Sequence, residues 1–425
     1  MKTYKSRTGK RVLAAAAMLS SFAAAALAAD PVTLTVWSDT ARLSLFAAYD
    51  DQHETITLNV VTVDPKDLLA KIQLGLQSGA EVPDVIFMSD IGYTSQLATR
   101  GSNYLMDLTG KVPDAKLAEF YPNANSPCYV NGKLLCLRND LAHMIVWYDE
   151  PLMKELGQTV PKTWEEFAAL GAALGPKGYA LGSAVEPYPL ISYLVSSGCE
   201  LAIPVEGATD TLKINATSDA CVKAATMVDT MVANGSLTKT GPFDPPFVAL
   251  AKSGKVPLII GPTWFGEYVI KPTYEFKPGT LAASVPLVWD GQAQPVTWSW
   301  GGGTYGGYNK TAHPDEVLDL IVWAATDVSV QTNAVTMPAH APSALAWGAK
   351  LKADAYYANA EVFDVEVASA AFSHPGYVSL RIDLSAAIAK TLSAAISGGG
   401  KAVDALPALQ TELTNLAQLN KYQVQ

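Results

Sequence analysis

The sequence predicts an α/β protein built from two lobes, and two observations carry that reading. Short β-rich runs alternate with segments of helical periodicity along most of the chain, the pattern of sheets flanked by helices. The 425 residues, about 397 once an N-terminal leader is set aside, also exceed what one hydrophobic core usually holds.

The leader comes first. Lys2, Lys5, Arg7, Lys10 and Arg11 precede an uncharged, alanine-rich run from Val12 to Ala29, in which Ala26-Leu27-Ala28 supplies small residues for cleavage. A charged, then apolar, then small-residue order is that of a secretory signal peptide, here residues 1–28. A lipoprotein needs Cys after cleavage, and Asp30 stands there, so no lipid anchor is expected. No later segment offers about twenty uninterrupted apolar residues. The expected compartment is the periplasm.

Strands and helices then alternate. Leu34-Thr35-Val36-Trp37 is a β-rich run after Pro31, and a second spans Ile56 to Val63. Asp64 and Pro65 open a helix with Leu68, Leu69, Ile72 and Leu76 at helical spacing, closed by Gly79. Pro83-Asp84 leads into the buried strand Val85-Ile86-Phe87-Met88. Thr163 and Glu166 form a capping box before Trp164, Phe167, Leu170 and Leu174. Pro314 starts a helix whose apolar stripe is Val317, Leu318, Ile321 and Ala325. In sheets flanked by helices, ligands sit at the carboxyl ends of strands, where loops converge.

Loss of the leader removes five positive charges and no negative ones, taking the net charge from -10 to -15. So acidic a surface repels phosphate backbones and anionic lipid, which excludes nucleic acid and membrane surfaces as partners. Hydrophobic residues make up 49% of the chain, as in packed globular proteins.

The four cysteines all lie beyond the leader and allow three pairings. Cys128 and Cys136 flank the turn signal Asn131-Gly132, and a three-residue loop at 131–133 places them opposite each other. Cys199 ends one apolar segment, and Cys221 opens another after the cap Ser218. The favoured disulfides are Cys128–Cys136 and Cys199–Cys221. A metal site is the rival reading, but no C-x-x-C occurs and the five His are scattered.

Six passages, in order, resemble family 1 extracellular solute-binding proteins of ABC transporters, the group containing maltose-type sugar receptors. They are Leu34-Thr35-Val36-Trp37-Ser38, Pro83-Asp84-Val85-Ile86-Phe87, and Asn131-Gly132-Lys133 leading to Trp147-Tyr148-Asp149. Pro161-Lys162-Thr163-Trp164-Glu165-Glu166-Phe167, close to a family signature, follows. Gly254-Lys255-Val256 through Gly261-Pro262-Thr263-Trp264, and His374-Pro375-Gly376-Tyr377, complete the set. Cys136 and Leu137 depart from the family's Gly-Leu-Pro, and the two disulfides are not a general family feature.

The resemblance implies a type II-like periplasmic binding protein fold: two lobes, each a mainly parallel sheet flanked by helices, joined by a multi-strand hinge. Lobe 1 would hold residues 29–142 plus 296–338, and lobe 2 residues 143–295 plus 339–425. Crossings are expected near Val146-Trp147, Gln294-Pro295 and Met337-Pro338. A monomeric receptor of this kind clamps a small solute and presents it to the transporter's permease subunits.

A sugar site needs flat aromatic faces and a few placed polar groups. Aromatic candidates at strand ends or loops are Trp37, Tyr188, Trp264, Trp298 and Trp300; the last two alternate on an extended segment, so one of them faces the core. Trp164 and Trp323 lie on apolar helix stripes and read as core. Polar candidates are Asp39 and Arg42 beyond the first strand, Asp90 beyond Val85-Met88, Asp140 by the hinge, and Arg381. Only four Arg lie beyond the leader, Arg42, Arg100, Arg138 and Arg381, and the guanidinium fork suits vicinal hydroxyls or an acidic group. Arg381 also reads as a surface ion pair. Gly302, within Gly301-Gly302-Gly303, lets backbone amides approach a ligand.

The run lacks a G-x-G-x-x-G or P-loop pattern, so no nucleotide or other cofactor is expected. No nucleophile elbow or zinc helix occurs either. The expected protein is not an enzyme. The alternatives are the same fold holding a polyamine, metal chelate or phosphorylated polyol, and a secreted carbohydrate-active enzyme.

Overall fold

The computed structural model describes residues 31–99, 103–208, 210–374 and 376–425. The leader, its cleavage site, Asp30 and Arg100 lie outside the described residues. Among these residues no helix is long and apolar enough to cross a membrane.

Eight strands position the site: β1 (Val32–Ser38), β2 (Ile56–Thr62), β3 (Val85–Met88), β4 (Leu137–Arg138), β5 (Met144–Asp149), β6 (Leu258–Pro262), β7 (Leu281–Ser284) and β8 (Thr304–Gly307). The first sheet has the order β2-β1-β3-β8-β4. Its first three strands are parallel, whereas β8 runs antiparallel to both β3 and β4. The second sheet has β5 between β6 and β7, antiparallel to both.

The two-lobed α/β architecture matches the expectation, and the sheet direction needs a correction. A mainly parallel sheet holds for β1–β3 only. Met144 pairs with Pro262, and Tyr148 with Leu258, so β6 runs back along β5. In that half, parallel pairing joins Gly182–Ser183 to Leu237–Thr238.

Local chemistry explains the elements. In β1 the residues Leu34, Val36 and Ser38 are buried on one side, while β3 is buried on both, hence its unbroken Val-Ile-Phe-Met run. Asp64 accepts from the Lys66 amide at 2.9 Å over a short 3₁₀ turn, and helix Leu68–Ser78 follows, ending on Gly79 at φ 69°. Thr163 and Glu166 form the reciprocal capping box, and Trp164, Phe167, Leu170 and Leu174 are buried. Helix Pro314–Thr326 buries Val317, Ile321 and Ala325, with Leu318 at the margin.

Residues 139–144 lie between two other segments, 337–339 and 298–300. Leu141 donates to the Met337 carbonyl and Ala339 to that of Asn139, each at 2.9 Å. On the other flank Met144 donates to the Trp298 carbonyl at 2.9 Å and Trp300 to that of Ala142 at 3.0 Å. Val146-Trp147 sits within β5.

Both expected disulfides are present, with Cα–Cα distances of 5.0 Å for Cys128–Cys136 and 4.6 Å for Cys199–Cys221. The hairpin register differs from the expectation. Val130 pairs with Lys133, so the loop is the two residues Asn131 and Gly132, at φ 51° and 76°. Leu135 then donates to the Cys128 carbonyl at 2.9 Å, and Cys136 lies one residue beyond.

Candidate functional site

A cleft of about 370 Å³ opens between the two halves. From the first sheet it takes Asp39, just beyond β1, and Phe87, Ser89 and Asp90 at the end of β3. These are carboxyl ends of parallel strands, where loops converge. From the other side come Tyr188, Trp264 and Tyr268, and Asp140 and Trp300–Gly303 complete the lining.

One wall is aromatic. Tyr188 and Trp300 stack at 5.3 Å between centroids with 13° between planes, and Trp264 meets Trp300 edge-on at 5.5 Å. The Trp264 indole N–H donates to the Trp300 carbonyl at 2.8 Å, which fixes the ring plane. Phe243 lies parallel to Trp264 at 6.4 Å; it is 48% exposed and Tyr268 is 50% exposed. Such half-wet rings offer apolar faces to a ligand while their neighbours hold them in place.

The facing wall is polar. Arg42 lies over the Phe87 ring at 3.9 Å, donates to Asp39 at 2.7 Å, and sits 3.7 Å from Asp140. Burial disfavours its charge, but Asp39 and Asp140 outweigh that and raise its pKa. Asp140 also accepts from the Gly303 and Asn139 nitrogens, each at 2.7 Å. Asp90 accepts from the Tyr188 hydroxyl at 2.6 Å and the Gly92 amide at 2.7 Å. Burial raises its pKa despite those two donors.

The glycine run is explained by crowding. Gly302 has φ 98°, and a Cβ there would sit 1.9 Å from an Arg138 Nη; one on Gly303 would sit 2.2 Å from Phe87. The Gly303 amide already serves Asp140, so the run's first role is close approach of protein to protein, rather than the free amides expected from sequence.

Asp39, Arg42, Asp90, Asp140, Tyr188, Trp264, Trp300 and Gly302 therefore share one cleft. Three other sequence candidates lie elsewhere. Trp37 is half-buried on the sheet, in register with Val61 and Ile86. Trp298 points away from Trp300, as alternation requires, packs edge-on against Tyr377 at 5.2 Å, and lines a small cavity next to the cleft that Asp90 and Tyr188 also line. Arg381 pairs with Asp210 at 2.6 Å and covers the Tyr422 ring at 3.9 Å, the surface ion pair of the alternative reading.

Sequence reasoning missed Phe87, Lys66, Phe243 and Tyr268. Phe87 had a signal, the parity of its strand; the two half-exposed rings, one in a loop and one in an irregular helix, had none. Among the described residues no group of three or more His, Cys, Asp or Glu could hold a metal ion.

With this geometry in view, comparison with known proteins is decisive. The family model of bacterial extracellular solute-binding proteins matches residues 37–331. The chain belongs to that family. A lactose-binding protein of Rhizobium radiobacter is 22% identical over 329 residues, 74% of each chain. In fold, this solute-binding protein resembles the galacto-N-biose-/lacto-N-biose I-binding protein of Bifidobacterium longum, solved with lacto-N-biose, at TM-score 0.77 and 19% identity over 93% and 99% of the two chains. It also resembles the GacH receptor of Streptomyces glaucescens, solved unliganded and with acarbose, at TM-score 0.72 and 18% identity over 92% and 100%.

Proposed function

We propose that the protein is the periplasmic capture component of an ABC importer for a sugar, glycoside or sugar alcohol. The observation that carries this is the cleft itself, with stacked Tyr188 and Trp300 and edge-on Trp264 facing Asp39, Arg42, Asp90 and Asp140. Aromatic faces suit the C–H side of a pyranose, and carboxylates accept hydroxyls. The lactose-binding relative and the carbohydrate complexes of similar fold support the same class.

The lobes divide as 29–142 plus 296–338 and 143–295 plus 339–425. Solute held by one lobe gains contacts from the other on hinge closure, so binding shifts the population toward the closed form. That form, a monomer, docks on the permease subunits, and the sugar leaves unchanged because the protein performs no turnover. A micromolar dissociation constant, about 8 kcal/mol, is within reach of a few charge-assisted hydrogen bonds and ring stacking.

The excess of carboxylates beside the aromatic wall supports one second reading, a polyamine ligand. Thermal unfolding of the protein from Ala29 onward, against disaccharides, polyols, sugar acids and polyamines, tests both. A true ligand at a hundredfold excess over its dissociation constant adds about 2.7 kcal/mol of stability. A midpoint shift with one sugar class, and full recovery of that sugar, is the expected result. A shift confined to spermidine or putrescine would overturn the sugar assignment.

A further inference from the structure

The cleft has more acid than base, and its one guanidinium is already engaged. Arg42 gives one nitrogen to Asp39 at 2.7 Å, has Asp140 3.7 Å from the other, and rests its face on Phe87. That trio holds two carboxylates against one cation. Two further arginines do not line the cleft: Arg138 is 1% exposed behind Gly302, and Arg381 is paired with Asp210. Among the described residues, Lys66 alone remains as a further cation on the cleft wall.

Further carboxylates lie in and beside the cleft. Asp90 lines the cleft and a small adjoining cavity of about 50 Å³ that Asp383 also lines. Glu186 and Asp244 lie close together at Gly241: a Cβ on that residue would sit 3.7 Å and 3.3 Å from their oxygens. Burial, then Asp244, pushes the Glu186 carboxyl up to about 7, with Lys66 opposing. An ammonium beside Asp90 would be favoured by these carboxylates and an anion there disfavoured.

We infer that the solute is a sugar without an anionic group, neutral or amine-bearing, and that Asp90 is the residue which turns acidic sugars away. This rests on the carbohydrate reading above and narrows it: uronic acids, sugar phosphates and sulfated sugars are excluded. A neutral hydroxyl can take the acceptor face of Asp90, whereas a carboxylate in that place adds a second acid beside one whose charge burial already disfavours.

Calorimetric titration with three classes of disaccharide tests the inference: neutral (lactose, maltose, cellobiose, β-1,6-galactobiose), acidic (digalacturonate) and basic (the glucosamine dimer). The expected result is binding by a neutral or basic disaccharide and at least ~100-fold weaker binding by digalacturonate, the scale of an uncompensated like-charge contact. Raising the salt concentration should narrow that gap by screening. Asp90→Asn should narrow it about tenfold, whereas a purely structural role would weaken all classes alike. Digalacturonate binding as tightly as the best neutral disaccharide would overturn the inference and leave the sugar receptor standing. No binding by any of the three classes would overturn both.

Discussion

Replacing His143 by glutamine should make the protein markedly less sensitive to acid. His143 lies just before β5, 4% exposed, with Nδ1 3.0 Å from the Ser299 hydroxyl. Burial, then the nearby Arg138 charge, lowers its pKa from 6.5 to about 3. The unfolded chain therefore takes up this proton near pH 6.5, while the folded protein refuses it until near pH 3. Its contribution to stability is complete above pH 6.5 and falls as the pH drops through that window. At pH 5 the loss is about 2 kcal/mol, from one and a half pH units at about 1.4 kcal/mol each. Glutamine keeps a polar group beside Ser299 and cannot take up the proton. Urea unfolding of both proteins at pH 7 and pH 5 provides the assay. The drop in stability between the two should be about 2 kcal/mol smaller in His143→Gln; equal drops would refute the reasoning.

Other perturbations follow from the same structure. Glu366 is 1% exposed, one of its oxygens has no partner, and burial with Glu267 nearby raises its pKa well above the usual range. Its protonated form is the folded one, so stability is lost as pH rises above about 4.5. Glu366→Gln should then match the parent at pH 4.5 and exceed it at pH 8, as read by thermal unfolding. Removing Cys199 and Cys221 together, as alanines, should cost about 3 kcal/mol, and removing Cys128 and Cys136 somewhat less, because their separations are 22 and 8 residues. Non-reducing urea titrations give the order. Gly302→Ala drives a Cβ into Arg138 at φ 98° and should cost at least about 2 kcal/mol in the same titration, with weaker ligand binding.

How much of this was legible in the sequence depends on how local the determinant was. The capping box at Thr163 and Glu166, the Gly79 stop and the buried run Val85–Met88 each depend on a few neighbouring residues, and each formed as read. The two disulfides followed from spacing, although the hairpin register beneath one of them did not, because Asn131 and Gly132 both adopt positive φ in a two-residue turn. Eight site candidates converge because Asp39 and Asp90 follow parallel strands, whose loops gather at one edge. Long-range choices were not legible. Which of Trp298 and Trp300 faces the cleft depends on pairing with Ala142 and Met144. Arg381 meets Asp210 across 171 residues, and the antiparallel setting of β6 and β7 depends on where the chain turns back at the crossings. The rim rings Phe243 and Tyr268 lie outside regular strands and α-helices, so no periodicity marked them.

In the proposed function, Trp264 and its neighbours clamp a sugar without transforming it. Calorimetric titration of the sugar found by thermal screening into parent and Trp264→Ala protein, with the sugar recovered afterwards, tests it most directly. The expected result is one site per chain in the parent, unaltered sugar, and ~100-fold weaker binding by Trp264→Ala, the scale of losing one anchoring aromatic ring, beside only a small change in unfolding temperature. Unchanged affinity with a large fall in unfolding temperature would make Trp264 a core residue and move the site elsewhere.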